Sequence, residues 1–174
     1  YATRYKAKDF LNNLDGNRFS TSFFNQLLVR PEMRATFTLN DNNSFIGGIG
    51  FNHETLNRTD FTESPEFNSP YVYLQYDGHI TPKLNLIVGA RLDSHNKYQS
   101  QFSPKVAARY ELSDYLAIKG SVGYGFKAPD FRQLYFDFTN ATVGYTVLGY
   151  NAVVTAIPKL NEQGQIANII VPIS

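Results

Sequence analysis

The chain has 174 residues, with 16 basic and 15 acidic side chains and a net charge of +1 at pH 7. This balance, without any cluster of Lys or Arg, argues against nucleic acid as a partner. The absence of cysteine excludes disulfides and thiolate metal sites, and no apolar run is long enough for a transmembrane helix.

Apolar and polar residues alternate along six stretches of the chain, which predicts long β-strands rather than helices. Because successive side chains of a strand point to opposite faces, each stretch has one apolar and one polar face. Lengths of about 10 to 13 residues suit strands that cross a bilayer at a tilt. The predicted strands are 26–39, 44–56, 71–80, 84–94, 102–112 and 116–127.

Two kinds of connection alternate between these strands. Short polar turns stand at 40–43, 81–83 and 113–114, and longer links at 6–22, 57–69, 95–100 and after Pro129. Tight turns at one end and long loops at the other are typical of outer-membrane barrels, which have their turns in the periplasm. The mean hydropathy of −0.31 suits strands that face water on one side.

The predicted fold is therefore all-β, an antiparallel meander of about six or seven long strands. Residues 1–129 are expected to form barrel strands with tight periplasmic turns and outer loops. Residues 130–174 are expected to form a long extracellular loop, in which 158–169 could be a short helix. Aromatic residues near both ends of the apolar face predict two interface girdles, made of Phe45, Tyr110 and Tyr115 toward the turns and Phe51, Phe102, Tyr124 and Phe126 toward the loops.

The alternation by itself also allows a soluble antiparallel β-barrel that binds an apolar small molecule inside. Such a protein would bury the apolar face, including Leu84, Leu86, Val88 and Ile118, and would wet the other face.

Residues 123–135 read Gly-Tyr-Gly-Phe-Lys-Ala-Pro-Asp-Phe-Arg-Gln-Leu-Tyr, a segment that resembles TonB-dependent outer-membrane receptors. The stretches Val-Gly-Ala-Arg-Leu-Asp at 88–93 and Phe-Ser-Pro-Lys-Val-Ala at 102–107 are similar to strands of the same family in the same order. The resemblance covers about residues 30–135 well. Its motif residues are Gly123, Gly125, Phe126, Lys127, Ala128 and Pro129.

The resemblance implies a transmembrane barrel of about 22 strands in the bacterial outer membrane, closed by a plug domain. It implies uptake of a scarce ligand through TonB and the inner-membrane proton gradient. Cobalamin, a siderophore or another iron complex is the expected ligand. Haem is less favoured, because the loop after Pro129 lacks the family's His and its Asn-Pro-Asn-Leu-like phrase.

No plug domain is recognised in the sequence, so the chain is expected to be an interior part of the barrel. The implied partners are TonB, the receptor's own plug, a small-molecule ligand and membrane lipid, with no cofactor. Alone, such a chain is expected to self-associate through its strand edges, because unpaired backbone at membrane depth is costly.

Two loops carry the candidate ligand-binding residues. Aromatic side chains suit flat, partly apolar ligands, although they also pack ordered loops. Three carboxylates at three-residue spacing could hold calcium, or could simply be a solvated acidic loop. The candidates are Tyr135, Phe136, Phe138 and Tyr145 in the long loop and Asp60, Glu63 and Glu66 in the shorter one.

The polar face carries basic residues assigned to the lumen. They could contact the plug and form a path for an anionic ligand, or they could be a solvated face with cross-strand ion pairs. Glycines on this face, such as Gly48 and Gly50, would let a plug approach the backbone. The basic residues are Arg34, Arg91, Lys105, Arg109, Lys119 and Lys127.

Other chemistry finds little support in the sequence. His53, His79 and His95 are too dispersed for a metal motif, although His53 and His95 could contact haem or a metal at the outer strand ends. The Gly-X-Gly phrases at 48–50 and 123–125 are not followed by the strand-to-helix turn of a dinucleotide site. No nucleophile with an adjacent base can be placed, so an enzyme is not expected.

Overall fold

The computed structural model describes residues 1–61, 63–140 and 143–164, and it is dominated by long strands. The described residues form eight strands of one sheet, a short hairpin and two helices. The strands are β1 (Ala2–Asn12), β2 (Arg18–Val29), β3 (Glu32–Asn40), β4 (Asn43–Arg58), β5 (Glu66–Thr81), β6 (Leu84–Asp93), β7 (Gln101–Ser113), β8 (Leu116–Gly123), β9 (Asp137–Asn140) and β10 (Tyr145–Leu148). The helices are α1 (Phe131–Tyr135) and α2 (Tyr150–Glu162).

The large sheet is an open meander in the order β1-β2-β4-β5-β6-β7-β8, and β3 also pairs with β4. The predicted strand 26–39 is divided at Arg30 and Pro31, where proline supplies no N–H to a ladder. The carbonyl of Pro31 still accepts a hydrogen bond from the Phe51 N–H, at 3.1 Å. The predicted antiparallel meander is confirmed, and the barrel is not closed by these strands alone.

The three hairpins β3–β4, β5–β6 and β7–β8 have the same two-residue turn. In each, the side-chain oxygen of the last residue of the first strand accepts a hydrogen bond from the backbone N–H two residues later. The three N···O distances are 3.0 Å for Asn42 to Asn40, 3.3 Å for Lys83 to Thr81 and 3.4 Å for Tyr115 to Ser113. This local bond explains why polar residues at these positions mark tight turns.

A register shift also precedes each of these turns. It falls between Thr38 and Asn40 in β3, between His79 and Thr81 in β5, and between Glu111 and Ser113 in β7. The residue inside each shift is apolar and about half exposed, namely Leu39, Ile80 or Leu112. The tight turns predicted from the sequence are confirmed, and each comes with a bulge that the sequence analysis did not predict.

Three local predictions were wrong. Residues 6–22 do not form a long link, because β1 and β2 flank a short turn at 13–17, where the Gly16 N–H donates to the Asn13 carbonyl at 3.0 Å. The last strand ends at Gly123, so most of the motif lies beyond regular structure. The helix is Tyr150–Glu162, with Pro158 inside it, and residues 165–169 of the predicted helix lie outside the described residues.

The apolar face of the large sheet is exposed. Val88 and Ile118, two residues that a soluble barrel would bury, are 41% and 59% exposed, and Val122 is 74% exposed. The predicted girdle residues Tyr110, Tyr115, Phe102 and Tyr124 are exposed as well. A sheet whose apolar side chains point outward needs an apolar surrounding, as a lipid bilayer provides.

Two compact units divide the chain. The first comprises Tyr1–Arg4, Leu27–Glu54 and Glu66–Lys127, and the second comprises Tyr5–Gln26, Thr55–Pro65 and the described part of Ala128–Ser174. Among the described apolar side chains, the first unit buries Phe67 and Tyr71. The second buries Leu56, Phe131, Leu134, Tyr135, Ala152 and Ala156.

Neither described helix has the length and apolar character required to cross a bilayer.

Candidate functional site

A hydrogen-bonded network on the polar face of the first unit is built around Tyr71. The Tyr71 hydroxyl donates to a carboxylate oxygen of Glu32, and the Tyr73 hydroxyl donates to the other oxygen at 3.2 Å. The Arg30 Nε donates to the Tyr71 oxygen at 3.3 Å, and the Arg91 guanidinium lies 4.0 Å from the ring centroid of Tyr71. One carboxylate thus fixes two tyrosines from another strand.

Two glycines make this network possible. A Cβ atom on Gly50 would overlap the ring of Tyr71, and one on Gly48 would overlap the ring of Tyr73. The rings of two β5 residues therefore fill the space left by the β4 glycines and reach Glu32 on β3. These glycines were expected to let a plug approach the backbone, but the space beside them is filled by the rings of Tyr71 and Tyr73.

Arg91 is held by its own strand. Its Nε and Nη2 donate to the two carboxylate oxygens of Asp93, both at 2.7 Å, a bidentate geometry that fixes the guanidinium plane. A concavity of about 370 Å³ beside it is lined by Glu32, Tyr73, Gln75, Arg91, Ser103 and Lys105, among others. This part of the predicted basic face is therefore a mixed surface of paired acids and bases.

The loop between β6 and β7 carries a stacked histidine in the first unit. The His95 ring lies 3.6 Å from the ring of Tyr98 at an interplanar angle of 15°, and it contacts Phe67 edge-on at 4.8 Å. Its Nδ1 accepts a hydrogen bond from the Lys97 N–H at 3.0 Å. Burial, with a smaller contribution from the charge of Lys97, lowers the pKa of His95 to about 4.

His53 lies in a separate polar cluster of the first unit. Its Nδ1 lies 2.9 Å from the Asn68 amide oxygen and 3.7 Å from a Glu66 carboxylate oxygen. The Asn68 amide in turn donates to Glu66 at 2.6 Å. Because Nδ1 of His53 and of His95 already has a polypeptide partner, the suggested haem or metal contact of either ring would have to use Nε2.

We expect the 95–100 loop to lose stability as the pH falls from about 7 to 4. The neutral His95 is favoured in the folded loop, whereas an exposed histidine has a pKa of about 6.5. Between these two pKa values the unfolded loop binds a proton that the folded loop does not, so the folded loop becomes less stable as the pH decreases. Below about pH 4 both forms are protonated, and no further loss of stability is expected. Amide hydrogen-exchange protection of this loop in the intact receptor measures the effect.

The matched control is His95→Phe, which keeps a flat ring beside Tyr98 without a titrating group. Its loop protection should not change with pH over this range. An equal pH dependence in both proteins would show that another group titrates.

The second unit holds an arginine among aromatic rings. Arg58 forms an ion pair with Asp60, and its guanidinium lies 5.9, 5.6 and 5.3 Å from the ring centroids of Phe24, Phe61 and Phe136. Only 20% of the Arg58 side chain and 26% of the Asp60 side chain are exposed. Cation–π contacts gain strength in such desolvated surroundings.

The loop aromatic cluster extends from this arginine along the β9–β10 hairpin. We use this name for Phe24, Phe61, Phe136, Phe138 and Tyr145. Phe136 and Phe138 are stacked at 5.7 Å, and Phe138 meets Tyr145 at 6.3 Å. An isolated bridge joins Phe61 to Phe136, and the Asp137 N–H donates to the Asp60 carbonyl at 3.0 Å.

Helix α1 begins with a capping box. The Asp130 carboxylate accepts from the Gln133 N–H at 2.8 Å, and the Gln133 side chain accepts from the Asp130 N–H at 3.0 Å. This cap fixes the helix that directly follows the Ala-Pro motif. Tyr135 at its end is only 4% exposed and packs near Phe61, at 6.5 Å between centroids. A side chain buried to this extent has almost no surface to offer a ligand, unlike the other aromatic candidates of this loop.

The three loop carboxylates have different surroundings. Asp60 is paired with Arg58, Glu66 lies in β5 beside His53 and Asn68, and Glu63 is exposed. Within residues 1–61, 63–140 and 143–164, no group of three His, Cys, Asp or Glu side chains could hold a metal ion. The calcium interpretation of this acidic segment has no support in the structure.

Sequence reasoning missed Tyr71, Tyr73 and Arg58 as organising residues. The first two carry a usable signal, since the spacing of Tyr71 and Tyr73 equals that of Gly48 and Gly50 on the neighbouring strand. Arg58 carries no such signal, because its ring partners lie in three separate segments of the chain.

Comparison with known proteins agrees with this fold. The chain matches the family described as TonB dependent receptor-like, beta-barrel, over residues 1–163. It is 33% identical over 61 residues to a probable TonB-dependent siderophore receptor, PirA of Acinetobacter baumannii, a match covering 35% of this chain and 8% of that protein. It is 30% identical over 77 residues to an iron-regulated outer membrane virulence protein of Vibrio cholerae, covering 44% and 12%.

Two solved structures are also similar. The siderophore receptor PirA from Pseudomonas aeruginosa superposes with a TM-score of 0.57 at 26% identity, over 67% of this chain and 23% of that one. The siderophore receptor PirA from Acinetobacter baumannii gives 0.63 at 18% identity, over 85% and 26%, and this likeness concerns the fold alone.

The chain thus spans about a quarter of the length of the solved receptors and less of the curated relatives. TonB-dependent receptors are transporters and not enzymes. Because the family match extends over most of the residues, this chain belongs to the TonB-dependent receptor β-barrel family.

Proposed function

We propose that the chain forms part of the wall of a bacterial outer-membrane receptor that imports an iron–siderophore complex. TonB and the inner-membrane proton gradient supply the energy in this proposal, and the receptor's own plug occupies the lumen. Two relatives and the solved neighbour that is 26% identical carry siderophore or iron regulation in their names, which favours an iron complex over cobalamin or haem.

The observation that carries the membrane part of the proposal is the two-faced sheet. Apolar side chains such as Met33, Ile49, Leu74 and Val122 are 54% to 74% exposed on one face, while the opposite face carries paired acids and bases. A face of this kind is stable against lipid, and charges on the other face suit an aqueous lumen.

Growth and uptake assays test the proposal. Deleting the gene that encodes the intact receptor should abolish uptake of radiolabelled iron from a ferric siderophore, and a protonophore should block uptake in the parent strain. Iron uptake that is unchanged by the deletion, with loss of cobalamin uptake instead, would contradict the ligand assignment.

The ligand contacts we propose are Phe138 and Tyr145, with Phe136 behind them. Tyr145 is 47% exposed, and its ring adjoins that of Phe138. Neighbouring aromatic rings of this kind can receive a flat, partly apolar ligand. The carboxylates Asp60, Glu63 and Glu66 stay secondary candidates, since Asp60 and Glu66 already have polypeptide partners.

We expect the double substitution Phe138→Ala and Tyr145→Ala to weaken ferric siderophore binding to the intact receptor about 10-fold. Loss of two aromatic contacts worth about 0.5 to 1.5 kcal/mol each supports this magnitude. Binding is measured by ligand titration of receptor in detergent.

The matched control is Tyr115→Ala, in a turn where the ring is 97% exposed. It should bind ferric siderophore as the unsubstituted receptor does. Equal affinity of all three proteins would place the ligand elsewhere.

A further inference from the structure

Two cations oppose each other on neighbouring strands of the first unit. Arg109 of β7 is the register partner of Lys119 of β8, and Asn85 of β6 is the partner of Arg109 on the other side. Register partners lie on the same face of a sheet, with Cβ atoms about 5 Å apart. Like charges placed in this way destabilise a sheet unless an anion lies between them.

A concavity of about 430 Å³ lies at the same place. Its lining includes the polar residues Asn85, Arg109 and Lys119, the apolar residue Ile87, and four small residues, namely Ala107, Ala108, Gly120 and Ser121. The four small residues leave room that longer side chains would fill. The polar groups around this room are mainly hydrogen-bond donors: a guanidinium, an ammonium, an amide and a hydroxyl.

The nearby carboxylates are already engaged. Glu111 forms an ion pair with Arg109, and Asp77 accepts a hydrogen bond from the Asn85 amide at 3.0 Å. Within the described residues, Lys119 has no carboxylate partner. The pocket therefore holds one more cation than its own strands neutralise.

We propose that this pocket seats the carboxylate of an acidic side chain of the receptor's plug. The proposal rests on the proposed function, which supplies a plug inside the lumen. Arg109 lies five residues before Asp114 and Lys119 lies four residues after Tyr115, in the two strands that flank this turn. A ligand that enters from the loop end meets other surfaces first, whereas a polypeptide lodged in the barrel reaches the turn end. A carboxylate there accepts from Lys119, Asn85 and Ser121.

Zero-length cross-linking in the intact receptor tests the proposal. A carbodiimide joins a lysine amine to a carboxylate only when the two are in contact. We expect a cross-linked peptide that joins Lys119 to an Asp or Glu of the plug, detected by mass spectrometry of outer-membrane vesicles. Lys83, an exposed lysine in the neighbouring β5–β6 turn, serves as the internal control and should form no such cross-link.

Two variants sharpen the test. Lys119→Arg keeps the charge and should fold normally but lose the cross-link, because a guanidinium does not couple to carboxylates in this way. Lys119→Gln should lose the cross-link and also raise amide exchange in the plug peptide that carries the carboxylate, whereas Lys83→Gln should not.

Several outcomes would overturn the proposal. One is no cross-link to the plug while Lys119 remains reactive toward an amine reagent. Another is a Lys119 cross-link only to residues of this chain. A third is protection of Lys119 that appears only when ferric siderophore is added, which would assign the pocket to the ligand. Siderophore uptake tests the proposed function separately. A receptor that imports the siderophore but shows no cross-link from Lys119 to the plug would refute this inference and leave the proposed function unaffected.

Discussion

Replacing Gly50 with Ala in the intact receptor is expected to destabilise the barrel by about 2 to 4 kcal/mol. The new Cβ would overlap the ring of Tyr71, which is only 4% exposed. The ring cannot swing away cheaply, because Arg91 covers its face and Glu32 accepts from its hydroxyl. Overpacking costs about 1 to 3 kcal/mol, and a lost hydrogen bond to a charged group about 1.5 to 3 kcal/mol.

The temperature at which the folded receptor loses its compact band in SDS electrophoresis measures this effect. Gly120→Ala is the matched control, since a Cβ on that strand glycine meets nothing within 4 Å. A double-mutant cycle with Tyr71→Ala isolates the clash: Gly50→Ala should cost far less once the ring is gone. If Gly50→Ala and Gly120→Ala unfolded at the same temperature, the proposed ring packing would be wrong.

Gly149→Ala should destabilise the packing of α1 against α2 by about 3 kcal/mol or more while leaving the large sheet folded. Gly149 is buried at the start of α2, and its N–H donates to the Phe136 carbonyl at 2.6 Å. A Cβ there would lie 2.6 to 2.7 Å from backbone atoms of Leu134, Tyr135 and Phe136. Backbone atoms cannot move aside as a side-chain tip can, so α1 and α2 must separate.

Hydrogen exchange of residues 131–160 in the intact receptor reports this local loss. The control is Val154→Ala, on the solvent-exposed side of the same helix, where the side chain is 74% exposed. We expect rapid exchange of α2 in Gly149→Ala and near-normal exchange in Val154→Ala. Unchanged protection of α2 in Gly149→Ala would refute the close approach of these segments.

The features of the fold that depend on neighbouring residues could be predicted from the sequence. Alternation places Leu84, Leu86 and Val88 on one face regardless of what lies further along the chain. The tight turns could be predicted because Asn40, Thr81 and Ser113 each bond to the backbone two residues away. The segment 6–22 was misassigned because its turn at 13–17 is short and its strands are mostly polar.

The candidate sites depend on contacts between distant residues, and prediction was weaker there. Phe138 and Tyr145 were found by composition, because aromatic residues are frequent in that loop. Tyr135 was included for the same reason, although its ring packs inward. Arg58 could not be found, since its surroundings depend on how three separate segments meet. The opposed cations Arg109 and Lys119 were each recognised, but their pairing requires the strand register.

The repeated turn has a consequence for how the number of strands in such a barrel can change in evolution. Each turn, its bulged apolar residue and the hydrogen bond that closes it lie within one hairpin, and three hairpins carry the same set. The heritable module is therefore a pair of strands. A duplication or deletion bounded by loops adds or removes two strands at once and leaves every remaining turn intact, whereas a change by one strand would reverse the direction of all that follow.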